Sequence, residues 1–164
     1  MSAELHHLPV PVDSVHRAPA GGAVFDCRDL WGTLARRPWR SLLLLPVEDA
    51  AAAASVAASL GEAGRRMGGV PVEVRVVSST LDADAAEKLV AGVAPDATGR
   101  AGAKADRVIL ALPPLSAEPL GVTVAQGVDA VVLVLCVGRT ELAAAHQAID
   151  LVGRERIAGC LLVD

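Results

Sequence analysis

Apolar residues in this chain fall in short runs divided by polar, glycine- or proline-bearing breaks, and the alternation of run types predicts alternating strands and helices. The clearest case is Ser41–Leu60, SLLLLPVEDAAAAASVAASL. Leu42–Leu45 is uniformly apolar, as a strand buried on both faces must be. After a turn at Glu48 and Asp49, the alanine-rich stretch predicts a helix reaching about Arg66. Gly68 and Gly69 then turn the chain into Val70–Val77, whose valines alternate with Pro71, Glu73 and Arg75. One face of that strand is less buried, which places it towards a sheet edge.

The same reading carries to the end of the chain. Leu81–Val93 is expected as a helix with Asp82 and Asp84 in its first turn, followed by a Gly/Pro/Asp-rich loop over Ala94–Lys104. Arg107–Leu112 is a buried strand ending at Pro113 and Pro114, and Pro119–Gln126 is a short helix or turn. Val128–Val137 is the strongest strand. Gly138, Arg139 and Thr140 lead into a helix with Thr140 as its N-cap and with Leu142, Ala145, Ile149 and Val152 on one face. Ile157–Val163 closes the chain as a buried strand. Upstream, Val24–Arg36 places Phe25, Leu30, Trp31 and Leu34 on one helical face, and Pro38 ends that helix. Residues 1–22 show no period and read as a flexible arm, so residues 23–164 form a single domain. Right-handed crossovers make this an α/β fold, a mostly parallel sheet with helices on both faces.

Composition supports that architecture. The 164 residues are 52% hydrophobic, with two tryptophans, one phenylalanine and no tyrosine, a balance suited to strands covered on both sides. The net charge of −4 gives no overall field for nucleic acid, and no nucleic-acid partner is expected. Cys27, Cys136 and Cys160 are far apart and show no CxxC spacing, which argues against a disulfide framework or zinc site. His6, His7, His16 and Cys27 match no compact ligand pattern, so no metal is expected. No secretory leader is apparent, and the longest apolar run, Ala130–Val137, falls short of the roughly 20 residues that span a bilayer. The expectation is a cytoplasmic protein.

Three stretches together resemble the bacterial tyrosine-kinase family of polysaccharide export, a branch of the deviant-Walker P-loop ATPases. FDCRDLWGTL, Phe25–Leu34, looks like that family's arginine-containing helix before the first strand. VAASL, Val56–Leu60, looks like the helix after its phosphate loop. Val108–Asp164 looks like the run from its Walker B strand onward, where a strand ends in Asp-Thr-Pro-Pro, an aspartate precedes a valine-rich strand and Arg-Thr opens a helix. The resemblance implies a reduced P-loop NTPase-like fold. It also marks departures. Ala53 stands at the phosphate-loop lysine and Ala50 and Ala52 at its glycines. Ser78, Ser79 and Thr80 stand where magnesium-associated aspartates end the second strand, and Ala111 stands at the Walker B aspartate. The autophosphorylated tyrosine cluster has no counterpart, and of the self-association pattern only Arg28 remains, with Phe25 and Trp31 at the other positions.

A P-loop works by backbone N–H groups wrapping phosphates beneath a lysine, whereas a run of alanines simply continues as helix. Glu48 and Asp49 also bring negative charge to a helix N-terminus, where a phosphate would dock. The expectation is therefore a vestigial pocket at Pro46, Glu48, Asp49, Ala53, Ser78, Ala111 and Pro113, with no catalytic residue and no cofactor. The function that follows is a catalytically inactive, protein-binding or regulatory module of exopolysaccharide synthesis and export. Its partner would be a membrane copolymerase or export protein, or a related active kinase, holding it at the inner membrane face; self-association is a further option. Candidate partner-binding residues are Phe25, Arg28, Trp31, Arg36, Arg37, Trp39 and Arg40, although core packing of Phe25 and Trp31 and an ordinary basic linker at RRPWR are the simpler readings. Two alternatives stand beside this one. A nucleotide-binding ATPase or kinase would use a non-standard site at Arg139 and Thr140 with Glu48 or Asp49. A non-enzymatic accessory would serve another pathway, such as partitioning, secretion or cellulose synthesis. His146 has no serine or cysteine placed to use it.

Overall fold

The computed structural model describes residues 15–17, 27–78, 80–93 and 106–164. Its strands are β1 (Val15–Arg17), β2 (Ser41–Pro46), β3 (Val72–Val76), β4 (Arg107–Ala111), β5 (Ala130–Cys136) and β6 (Ile157–Val163). The helices are α1 (Arg28–Ala35), α2 (Ala50–Gly68), α3 (Ala83–Val93), α4 (Gly121–Gly127) and α5 (Leu142–Val152), with a 3-10 turn at Arg154–Arg156. The six strands lie in the order β1-β6-β5-β2-β4-β3, and every pairing is parallel. This is the α/β architecture expected from the sequence.

β2 is the centre of the sheet, and all of its residues are buried. Because successive side chains point to opposite faces, Leu42 and Leu44 pack with α1 and α2, whereas Leu43 and Leu45 pack with α3, α4 and α5. The uniform leucine run thus serves two separate cores. Leu43 sits level with Leu110 on one side and Val131 on the other. At the start of β2, the Asp129 carboxylate accepts hydrogen bonds from the backbone N–H groups of Arg40 and Ser41, at 2.8 and 2.9 Å, and from the Ser41 hydroxyl. Ser41 Oγ in turn accepts from the Asp129 N–H, which fixes the register of β2 against β5.

α2 lies close on the sheet because its inward face is built from small residues. A Cβ on Gly61 would stand 2.4 Å from Val74, and one on Gly64 would stand 2.5 Å from the Trp31 ring. The helix ends where Gly69 takes φ +59°, the left-handed conformation glycine adopts at least cost. Trp31 and Trp39 meet edge to face, 5.6 Å between ring centroids, and Trp39 Nε1 donates to the Leu34 carbonyl at 2.9 Å. The Arg107 guanidinium lies 5.0 Å from the Trp31 ring and 4.5 Å from the Trp39 ring. Burial lowers its pKa from the usual arginine value. Its Nη1 has no hydrogen-bond partner, and the faces of the two indoles take the place of one.

Several expected details differ. Val15–Arg17, inside the segment read as an arm, pairs with Cys160–Leu162 as an edge strand; three residues joined through main-chain bonds need no side-chain pattern. Thr140 does not cap α5, because its hydroxyl turns back to accept from the Cys136 N–H at 2.8 Å, and the helix begins after Glu141 without a side-chain cap. Leu142 is 71% exposed, outside the α5 face that buries Ala145, Ala148 and Val152. α3 starts two residues later than expected, after Asp82, whose carboxylate accepts from the Ala85 N–H. The loop read at Ala94–Lys104 lies outside the described residues.

Trp31 and Trp39 are 3% and 5% exposed, so replacing Trp31 by alanine is expected to destabilise the fold by about 3–5 kcal/mol, read from the urea midpoint. A variant of unchanged stability would mean that Trp31 does not carry this packing.

Candidate functional site

In an open parallel sheet the ligand crevice lies beyond the strand C-termini, where neighbouring strands send their connections to opposite faces. β2 sends its chain to α2 on one face, whereas its neighbours β4 and β5 send theirs to α4 and α5 on the other. The crevice is therefore bordered by Pro46–Asp49 after β2, Val77, Ser78 and Thr80 after β3, Leu112–Pro114 after β4 and Val137–Thr140 after β5; Ser79 lies outside the described residues.

At its centre the chain meets its own needs. α2 begins at Ala50 with Asp49 as N-cap, and the Asp49 carboxylate accepts from the N–H groups of Ala51 and Ala52 at 2.9 and 3.3 Å. Its other oxygen accepts from Arg139 Nη2 at 2.9 Å, so one carboxylate joins the connection after β2 to the connection after β5. Arg139 reaches it from a turn made by Gly138, at φ +74°, and also contacts the Cys136 sulfur at 3.5 Å. The Ala52 N–H above all, followed by Arg139 and the Ala51 N–H, holds the Asp49 pKa below the usual carboxylate value against an opposing effect of burial. Cys136 and Asp49 together raise that of Arg139.

Of the remaining predicted pocket residues, only Glu48 carries a charge. Pro46 is buried, Ala53 is fully buried and Ala111 is 2% exposed, so they form floor rather than lining. Glu48 and Ser78 are exposed and Pro113 is half-buried. From Pro46 to Ala53 there is neither a glycine nor a lysine. Among the described residues, no three His, Cys, Asp or Glu side chains converge where a metal ion could sit.

One residue of this region is not signalled by the sequence. Glu118 is 3% exposed; its carboxylate accepts from the Leu81 N–H at 2.7 Å and the Leu120 N–H at 3.3 Å. It ties the connection after β3 to the connection after β4, and a lone acid among Ser116, Ala117 and Pro119 carries no pattern that announces this. A small cavity of about 120 Å³ lies elsewhere, between α5 and the turn at Leu115 and Ser116.

The candidate partner-binding residues divide sharply. Arg28, Arg36, Arg37 and Arg40 are exposed, Trp31 and Trp39 are in the core, and Phe25 lies outside the described residues. Burial in the tryptophan–arginine stack removes both indoles from any contact surface. His146 is exposed on α5. Among the described residues no helix is long and apolar enough to cross a membrane.

Comparison with solved structures identifies the fold. The kinase domain of VpsO superposes with a TM-score of 0.66 at 12% identity, covering 84% of this chain and 92% of that one. The chimerical protein CapA2B2 gives 0.60 at 11% identity, with 83% and 82% covered. The kinase domain of the Escherichia coli tyrosine kinase ETK gives 0.54 at 13% identity, with 76% and 67% covered. The chain has the fold of these bacterial tyrosine-kinase domains. No family model and no curated protein matches it.

Replacing Asp49 by alanine removes the cap of α2 and leaves Arg139 without its carboxylate, at an expected cost of about 1 kcal/mol near neutral pH. Because the folded-state pKa is depressed, that contribution is complete above the ordinary carboxylate value of 3.8. It is lost as the pH falls from there through the folded value. Denaturation curves of the two proteins should therefore converge in acid; a difference that persists unchanged below that window would mean the carboxylate charge is not what stabilises the helix end.

Proposed function

We propose that this chain is a catalytically inactive relative of the polysaccharide-associated tyrosine kinases that keeps the fold as a protein-binding or regulatory module. The observation that carries this reading is the Asp49 carboxylate on the N–H groups of Ala51 and Ala52, paired with Arg139. A phosphate-binding loop leaves such N–H groups free for the ligand. Here they already hold an anion that belongs to the chain, and a nucleotide would have to displace it.

The alanines support the same conclusion. Ala50 to Ala53 are helix rather than loop, so their N–H groups follow the helix axis instead of curling around a phosphate. The positions that resemble the lysine, the glycines and the acids of the kinases have all changed together, which is coherent with loss of catalysis and of magnesium binding. The alternative enzyme reading relied on Arg139 and Thr140 with Glu48 or Asp49; Arg139, Thr140 and Asp49 are each engaged within the chain, and Glu48 is exposed. The partner we infer is a membrane copolymerase or export protein, or an active kinase of the same pathway, met through exposed residues such as Arg28, Arg36, Arg37 and Arg40.

Thermal unfolding with and without ATP or ADP and magnesium tests the central claim. A nucleotide at 100 times its Kd would add about 2.7 kcal/mol; no shift is expected, and a clear one would overturn the reading. Ala53→Lys should not create binding either. Ala53 has no exposed surface, so the lysine would enter the core beneath α2 and cost at least about 2 kcal/mol. ATP-dependent stabilisation of that variant would refute this account of the helix start.

A further inference from the structure

The net charge of −4 conceals a polarity that the parallel topology creates. Since all strands run the same way, the connections entering them gather at one end of the molecule and the connections leaving them at the other. The crevice end holds Glu48, Asp49, Asp82, Asp84 and Glu141, and the two cations beside them, Arg139 and Lys88, are already paired with Asp49 and Asp84. The opposite end holds Arg36, Arg37 and Arg40 before β2, Arg65 and Arg66 in the last turn of α2 and Arg154 and Arg156 before β6, and these outnumber its acids Glu62, Asp106, Asp129 and Glu155.

The first five of these arginines share one corner, because Trp31 packs against Gly64 and Gly68 of α2 and against Trp39 of the connector. Arg65 and Arg66 share a single acid, Glu62, and remain largely in solvent. The side chains of Arg36, Arg37 and Arg40 have no hydrogen-bond or ion-pair partner among the described residues. The Asp129 carboxylate nearby is engaged by backbone N–H groups and the Ser41 hydroxyl. Helix C-termini attract cations, but each carries only about half a negative charge, and two helices end here. The arginines exceed what the helix ends require.

We propose that this corner is a docking surface for a bilayer bearing anionic phospholipid headgroups. The charges stand singly on a helix end and a short connector rather than lining a groove, a layout suited to a plane of mobile phosphodiesters that rearrange around each guanidinium. Pro38 is exposed among them and Met67 is 53% exposed beside Arg66, offering apolar contact at the headgroup boundary. Docked this way, the chain turns its acidic crevice end away from the lipid. The proposal deepens the membrane side of the function proposed above, yet it rests on the charge layout alone and holds whether or not the crevice binds nucleotide.

The test is co-sedimentation of the full chain, at low salt, with vesicles of phosphatidylcholine and with vesicles of phosphatidylcholine and phosphatidylglycerol in equal parts. Binding is expected to the mixed vesicles only and to weaken as salt is added. The triple variant R36A/R37A/R40A, checked for unchanged thermal unfolding, should lower the partition coefficient on the order of 100-fold, while Glu141→Ala at the other end leaves it unchanged. Absent binding, equal binding to both vesicles or an unaffected triple variant would each overturn the proposal. So would preferential capture by polyglutamate with the same arginine dependence, which would assign the corner to an acidic protein. Because nucleotide-dependent unfolding reports on the crevice separately, either idea can fail without the other.

Discussion

A strand with no exposed side chain has to be covered from both sides, and β2 imposes that requirement on everything around it. Its leucines face two helical layers in alternation, so the sheet can be neither an edge nor a single-faced surface at this point. Parallel neighbours follow, since covering both faces requires crossover helices on each. The direction change at β2, with α2 on one face and α4 and α5 on the other, then creates the crevice. The location of the site is thus a by-product of burying four leucines.

What occupies that location depends on a local contest at the start of α2. The first N–H groups of any helix need acceptors, and these can come from a ligand or from the chain. A glycine-rich loop holds the donors open, which leaves them unsatisfied until an anion arrives. Here Asp49 supplies the acceptor at once, and Arg139 holds the carboxylate from the far side. The arrangement stabilises the resting protein, and on the function proposed above it leaves phosphate no free donor here. Stability and ligand binding draw on the same donors, and this chain commits them to stability.

Much of the architecture is legible in the sequence because it rests on apolar runs. Leu42–Leu45, Arg107–Leu112 and Val128–Val137 read as buried strands with no knowledge of their partners. The start of α2 was legible too, from alanines that continue as helix and from an acid at the helix start. What was not legible depends on residues distant in sequence. Nothing near Arg107 announces that it will lie against both Trp31 and Trp39, so Trp39 passes as part of a surface cluster until that contact is seen. Arg139 reads as a possible ligand until its pairing with Asp49 is known, and Thr140 as a cap until its hydroxyl is found on Cys136. Each of these assignments turns on one contact between elements rather than on a local pattern.

The same distinction explains why arginine has such different roles within one chain. Arg139 is held between a carboxylate and a thiol, and Arg107 exchanges hydration for two indole faces. Both are consumed by the fold, and a rim of acids or a tryptophan stack accounts for them without any partner. Arg36, Arg37 and Arg40 follow a helix of eight residues whose end needs a fraction of their charge, and nothing within the described chain takes up the rest. A charge that the fold itself uses is evidence about folding; one that the fold leaves over is evidence about what lies outside it. In this molecule Arg139 is taken up at the crevice and Arg107 at the opposite end, whereas Arg36, Arg37 and Arg40 beside Arg107 are left over, so the docking surface proposed above lies at the end away from the crevice.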